Sequence, residues 1–175
     1  MNNKSKYTAA AAQLGPINPG ETKVSVVSRM LNLLIEAKTK GTELVVFPEL
    51  CLTTFFPRYY ITDPANLDMY YESEVPISLM SEMFELVRKE KIIISFGYAE
   101  KDNGIPFNTS VYVDSSGNIV GKYRKIHLPG HNEYEPERPF QHLEKRYFTK
   151  GNLGFPTFDT TLGRLGMCIC NDRRW

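Results

Sequence analysis

Apolar and polar positions along this chain change their period several times, and each change marks an element. Residues 7–13 form a short apolar run that reads as a first strand, broken by Gly15-Pro16. Over residues 24–38 the side chains Val24, Val27, Leu31, Leu34 and Ile35 recur at helical spacing, and Gly41 supplies the stop. Residues 43–47 are apolar almost without a break, the pattern of a strand buried on both faces. Residues 51–60 carry Thr53, Thr54, Phe55, Phe56, Pro57, Tyr59 and Tyr60 with no clear period, which predicts a loop with aromatic walls. A second helix is predicted over 76–89, with Met80, Met83, Phe84 and Val87 on one side and Pro76 in its first turn. Strands follow at 92–99, 108–113 and 119–125, separated by the turn sequences Asp102-Asn103-Gly104 and Asp114-Ser115-Ser116-Gly117-Asn118. These three read as a meander on one edge. Residues 128–154 show little periodicity, and a segment that long is seldom idle in a compact domain. The last predicted strand covers 164–170. The order strand, helix, strand, helix, then strands predicts α/β with a mixed sheet and helices on one face.

Bulk properties narrow the classes without choosing among them. A length of 175 residues suggests one domain, 1–175. The hydrophobic share of 42% and charged share of 23% are those of a soluble globular protein. A net charge of +1 gives no electrostatic case for nucleic acid or an anionic membrane. The polar start at residues 1–6 and the brief apolar run after it are too short for a secretory signal or a membrane span. Three cysteines, an odd number, fit no disulfide framework and point to a reducing cytoplasm.

Three chemistry-bearing residues, Glu49, Lys125 and Cys170, each stand at or just past the end of one of these apolar runs. Ligands of open α/β sheets bind outside the carboxyl ends of strands. A carboxylate, an ammonium and a thiol divide among themselves the roles of base, oxyanion partner and nucleophile in acyl transfer. Each alone has an ordinary alternative: Cys170 as a small buried residue, Glu49 and Lys125 as solvated charges. The polar Asn171-Asp172-Arg173-Arg174, directly after an apolar strand, favours use of the thiol. Cys168 shares the strand face of Cys170 but lies deeper, and is assigned to packing. Arg173-Arg174 suits a bidentate grip on a substrate carboxylate. His127 and His142 are candidates by residue type, with a satisfied structural role as the ordinary alternative, and Glu144 could equally pair with Lys145 or Arg146. A metal would need Cys168 and Cys170 with His127, His131 or His142; Cys-x-Cys without a second pair is not the usual zinc spacing, so no metal is expected.

The segments Val45-Val46-Phe47-Pro48-Glu49, Gly121-Lys122-Tyr123-Arg124-Lys125-Ile126-His127-Leu128 and Gly166-Met167-Cys168-Ile169-Cys170-Asn171-Asp172 resemble, in order and spacing, the three motifs of the nitrilase (carbon–nitrogen hydrolase) superfamily. Thr53-Thr54-Phe55-Phe56-Pro57-Arg58, His127-Leu128-Pro129-Gly130-His131, residues 138–148 and Cys170-Asn171-Asp172-Arg173-Arg174-Trp175 are similar to its N-carbamoyl-D-amino-acid amidohydrolase branch. The likeness runs from Tyr7 to Trp175. It implies a nitrilase-like α-β-β-α sandwich and hydrolysis of the ureido C–N bond of an N-carbamoyl-D-amino acid, giving the D-amino acid, ammonia and carbon dioxide. By motif position it implies Glu49, Lys125 and Cys170 as a catalytic triad and Glu144 as an additional acidic catalytic residue. It implies His127, His142, Asn171, Arg173 and Arg174 as the substrate pocket. No metal or organic cofactor is implied; a homo-oligomer, dimer or tetramer, is.

Chains of that superfamily continue well past the Cys motif. Residues 1–175 are therefore expected to be an N-terminal portion of such an enzyme, or a truncated copy. Two alternatives stay open. One is another amidase of the superfamily, β-ureidopropionase-like or aliphatic, separated by whether a substrate carboxylate is needed. The other is an inactive fragment that folds with a partner chain.

Overall fold

The structure is a computed structural model and describes residues 6–175; the polar start at 1–5, with the expectation about a signal, lies outside the described residues. Five strands form one mixed sheet in the order β1-β2-β3-β4-β5: β1 (Ala9–Ala11), β2 (Leu44–Val46), β3 (Ile93–Asp102), β4 (Ile105–Val113) and β5 (Ile119–Arg124). β1, β2 and β3 are parallel and reached through helical crossovers, while β3, β4 and β5 are antiparallel. The expected meander therefore stands at one edge. Its first hairpin runs further than the apolar pattern suggests. Asn103 and Gly104 both have positive φ, 48° and 83°, so the turn matches the strand twist and pairing reaches Asp102 and Ile105.

Helix α1 (Lys23–Thr39) begins where the Thr22 side chain accepts a hydrogen bond from Ser25 N. Its buried stripe is Val26, Val27, Met30, Leu34 and Ala37; Val24 and Ile35, expected to face inward, are exposed. The second predicted helix is shorter than its pattern. Ile77 is extended, a single 3-10 turn covers Ser78–Met80, and the helix proper runs Ser81–Glu90, so Pro76 precedes it. Between these lies a short helix the periodicity does not show, α2 (Pro64–Asp68), capped by Asp63 with proline in its first position. The longer helix at Ser81–Glu90 is accordingly α3.

α1 and α3 cover one face of the sheet, over Val45, Ile94, Phe96, Val111 and Val113. The opposite face presents Leu44, Ile93 and Tyr112. A separate hairpin, β6 (Thr157–Thr160) and β7 (Gly163–Gly166), lies on it through Phe158, Leu162 and Leu165. The strand expected over 164–170 is thus corrected: β7 pairs only with β6, and the ladder ends at Gly166. Residues 167–169 run on without a partner strand, and Cys170 opens a 3-10 turn, Cys170–Arg174. Cys168 is exposed rather than packed, because the neighbouring Ile169 takes the inward position on that run. β2 is likewise not buried on both faces, since Val46 is 41% exposed on the hairpin side.

The aromatic loop is only partly a wall. Phe56 is fully buried, stacked on Tyr70 at 4.7 Å and packed with Tyr71, Tyr147 and Phe148. Tyr147 belongs to α4 (Glu144–Tyr147), a single helical turn inside the irregular 128–154 segment. No helix among the described residues is long and apolar enough to cross a membrane.

Inside the meander, buried Glu100 accepts from Arg124 Nε (2.7 Å) and Nη2 (2.9 Å), Lys122 Nζ (2.6 Å) and Thr109 Oγ1 (2.7 Å). Burial works to raise this carboxyl, but the donors outweigh it and hold its pKa at about 2. The folded value lies below that of the unfolded chain, so the stabilisation is complete above about pH 5 and fades as the pH falls. Glu100→Gln is expected to cost ~2–4 kcal/mol at neutral pH. Urea unfolding across a pH series should show that gap closing as the pH drops toward the native pKa.

Candidate active site

Glu49 stands three residues past β2, on a turn laid across β3 at Gly97. A Cβ there would fall 2.9 Å from Glu49 Cα, so only glycine lets the turn approach this closely. Gly97 N donates to Pro48 O and Cys51 N donates to Gly97 O, which fixes the turn from both sides. Lys125 is the first residue after β5. Its N–H bonds Asn108 O at 2.8 Å, and its carbonyl accepts from Gly151 N at 2.9 Å. A Cβ at Gly151 would lie 1.9 Å from Arg124 O, so that loop also depends on glycine for its approach. Glu144 opens α4, and Cys170 opens the last turn with φ at 48°, a left-handed conformation uncommon outside glycine.

These four positions converge. Lys125 is 0% exposed, and its Nζ donates to Glu49 Oε1 at 2.6 Å and to Glu144 Oε2 at 2.7 Å. Burial opposes its charge, yet the two carboxylates together raise its pKa. An ammonium carries three N–H groups, so one stays uncommitted among the described residues. Burial, then the Glu49 charge, raise the Glu144 carboxyl, with Lys125 and His142 acting against them. The Cys170 thiol lies beside the same group. Burial and the Glu49 charge push its pKa up, and Lys125 pulls the other way. Glu49 and Cys170 share a cavity of about 270 Å³ on the hairpin face of the sheet, with Ser95, Ser110 and Tyr112 in its lining. A protonated thiol, a carboxylate beside it and an ammonium with a spare N–H are the parts that thiol-based acyl transfer requires.

The remaining predicted residues divide. His142 joins the cluster, its Nε2 3.1 Å from Glu144 Oε1 and its ring edge-on to Phe55. His127 forms a neighbouring unit. Its ring is stacked between Phe155 and Trp175, and its Nδ1 lies 2.9 Å from Asp172 Oδ1. Asn171 donates its side-chain N–H to His127 O at 3.1 Å. His127 and Asn171 line a separate pocket of about 320 Å³ with Lys145, Lys150 and Trp175. Arg173 and Arg174 are exposed, without an ion-pair or hydrogen-bond partner among the described residues, and contribute nothing to the buried cluster. Among those residues no group of three or more His, Cys, Asp or Glu side chains could hold a metal.

Two residues at the site escape the sequence patterns. Asp172 is buried and accepts from His127 N (2.9 Å) and Ile169 N (3.1 Å), tying the Cys170 turn to the end of β5. Burial would raise its carboxyl, but these N–H groups hold it below the usual range. Asn108 is buried between the two carboxylates, its Nδ2 2.6 Å from Glu49 Oε1. The available signal was an asparagine inside a strand, where that residue is disfavoured.

The carbon–nitrogen hydrolase family profile matches residues 8–175. The chain is 27% identical over 152 residues to a citrullinase of Francisella tularensis subsp. tularensis, covering 84% of this chain and 48% of that one. It is 26% identical over 168 residues to an N-carbamoylputrescine amidase of Solanum tuberosum, covering 95% and 51%. Among solved structures, a carbon-nitrogen hydrolase from Helicobacter pylori G27 superposes with a TM-score of 0.76 at 28% identity, over 97% of this chain and 53% of that one. The chain spans about half the length of the curated relatives it matches. With a match that covers nearly all its residues and a nitrilase-like α/β fold, this chain belongs to the carbon–nitrogen hydrolase family.

Proposed function

We propose that this chain carries the catalytic residues for hydrolysis of the ureido C–N bond of N-carbamoyl-D-amino acids. The observation that carries the proposal is the buried Lys125 ammonium, 2.6 Å from Glu49 and 2.7 Å from Glu144, with the Cys170 thiol beside Glu49. In this scheme Glu49 takes the thiol proton as sulfur attacks the ureido carbonyl. The carbonyl π pair moves onto oxygen, where the spare Lys125 N–H and a backbone N–H near Cys170 receive it. The oxyanion collapses, the C–N bond breaks, and the amine leaves with the proton that Glu49 or Glu144 returns. Water then adds to the thioester carbonyl, the C–S bond breaks, sulfur regains its proton, and the carbamic acid released splits into carbon dioxide and the second amine. The net reaction consumes one water and yields amino acid, ammonia and carbon dioxide.

The ureido bond is favoured by the relative named as an N-carbamoylputrescine amidase. The carboxylate on the substrate is favoured by the guanidiniums of Arg173 and Arg174, unpaired among the described residues and just past Cys170; the resemblance adds His127, His142 and Asn171 to the same pocket. The preference for the D-form rests on the motif resemblance. The homo-oligomer and the cytoplasmic setting belong to the same proposal, with exposed Tyr59, Tyr60 and Phe140 available for contacts between copies. A second reading, an amidase whose substrate lacks a carboxylate, is favoured by Arg173 and Arg174 making no hydrogen bond or ion pair to the buried cluster among the described residues.

Cys170→Ala should lower turnover by about a thousandfold or more while the melting temperature holds. Assays on both enantiomers of an N-carbamoyl amino acid should show the D-form consumed faster; faster loss of the L-form would reject that assignment. Removing the guanidiniums, in Arg173→Ala or Arg174→Ala, should raise KM about 10-fold or more for the acid and leave its amide analogue unchanged. Equal effects on both would favour the second reading.

Lys125→Met leaves two carboxyls buried without their cation and should cost ~3–5 kcal/mol at neutral pH. The Glu144 carboxyl, already raised by burial, loses the cation that opposes the rise, so its pKa lies above that of the unfolded chain. Stability should therefore recover as the pH falls and the cluster takes up protons, the reverse of the Glu100 profile. Denaturant midpoints across a pH series measure it.

A further inference from the structure

Asn108 has no task in the scheme above, yet it touches Lys125, Glu49 and Glu144. It is 1% exposed, at a position on β4 flanked by β3 and β5. Its carbonyl holds Lys125 N, and its Nδ2 donates to Glu49 Oε1 at 2.6 Å and lies 3.4 Å from Glu144 Oε2. Its Oδ1 is buried and has no partner. Turning the amide over gives no relief, because that oxygen would then face two carboxylates. An orphaned buried acceptor costs about 1–3 kcal/mol, so the N–H contact to Glu49 is kept against a standing penalty.

The consequence falls on the carboxylate. Glu49 Oε1 receives two N–H donors, from Lys125 and Asn108. No N–H donor among the described residues reaches Oε2, and the Cys170 thiol hydrogen-bonds the same carboxylate. We propose that Asn108 is a positioning residue: by occupying Oε1 it fixes the rotation of the Glu49 carboxylate and leaves Oε2 as the oxygen that takes the Cys170 proton. This rests on the roles assigned above to Glu49 and Cys170. A neutral donor is the group that fits. A second cation would offset the charge that makes Glu49 a base, and an acid would add a third carboxyl to Glu49 and Glu144. The groups facing the cluster are Lys125, Cys170 and Asn108 on Glu49, and Lys125, His142 and Asn108 on Glu144.

The other cysteines supply an internal reference. Cys51 is buried, and Cys168 is exposed without a hydrogen bond to the cluster. Iodoacetamide at about pH 7.5 followed by peptide mass spectrometry gives the ratio of Cys170 to Cys168 alkylation. That ratio should change in Glu49→Gln, which removes both the proton acceptor and the charge that raises the thiol, and should fall by about 10-fold in both Asn108→Ala and the isosteric Asn108→Asp. In the hydrolysis assay kcat should fall about 10–100-fold with KM within about twofold. The acid limb of the pH–rate profile should move to higher pH, further in Asn108→Asp, whose added carboxyl makes the cluster hold a proton more tightly.

A ratio unchanged in both Asn108 variants but changed in Glu49→Gln would overturn the role of Asn108 alone. A ratio unchanged in all three would overturn the assignment of Glu49 and Cys170, and this proposal with it. Equal acceleration of both cysteines with a lower melting temperature would mean that Asn108 only supports the fold, and would also reject it.

Discussion

A fully buried ammonium held by two carboxylates is the constraint around which the rest of this molecule is arranged. Alone in the interior, Lys125 would shed its proton or unfold its surroundings. Each carboxylate at hydrogen-bond distance is worth on the order of 4 kcal/mol at an effective dielectric near 20, enough to keep the charge in place. The partners come from opposite directions along the chain. Glu49 precedes Lys125 by 76 residues and Glu144 follows it by 19. One charge therefore fixes the turn after β2, the end of β5 and the helical turn inside the long irregular segment. That segment has little apolar periodicity because its position is set by Glu144, Tyr147 and Phe148 entering the interior at one end.

A further carboxylate, Asp172, does for the Cys170 turn what Glu144 does for the lysine. It accepts backbone N–H groups from Ile169 and from His127, which lies two residues past Lys125. The left-handed backbone at Cys170 costs about 1–3 kcal/mol in a residue other than glycine and persists only where its surroundings dictate it. Here the surroundings are Asp172 on one side and the β6–β7 hairpin on the other, seated through Phe158 over Gly121, where a Cβ would come within 2.7 Å of the ring. Glycine at 97, 121 and 151 thus sets how near three separate pieces of chain can come.

Much of this was legible in the sequence, and the failures have physical causes. Strand ends followed by Glu49 and Lys125 were readable because buried apolar runs end sharply at a charge. The two-residue turn at Asn103-Gly104 was readable as a turn, but the length of its hairpin was not: the polar Glu100, Lys101 and Asp102 pair as well as apolar residues once the turn fixes the register. The run at 164–170 has strand composition, yet a strand needs a neighbour, and among the described residues only β6 provides one. Phe56 and Phe55 are adjacent with opposite fates, one in an aromatic core and one beside His142; an aperiodic loop carries no signal to separate them. Asn108 and Asp172 were passed over for a different reason. Both hold other polar groups of the cluster through hydrogen bonds, and the one local mark, an asparagine inside a strand, does not say what it binds.

The arrangement also explains how a proton can move beside a fully buried ammonium. In the proposed cycle the thiol gives its proton to Glu49, so negative charge leaves the carboxylate as it arrives on sulfur. Attack then carries that charge to the carbonyl oxygen, beside the spare N–H of Lys125. At each stage the number of charges around the ammonium is the same, and only their positions shift by a few bonds. A buried site with net charge changing during the reaction would meet the desolvation cost anew at every step. This one meets it once, during folding, when Lys125, Glu49 and Glu144 are brought together. The raised thiol pKa fits that logic: sulfur stays neutral until an acceptor for its electrons is present, and the cluster keeps its balance in the meantime.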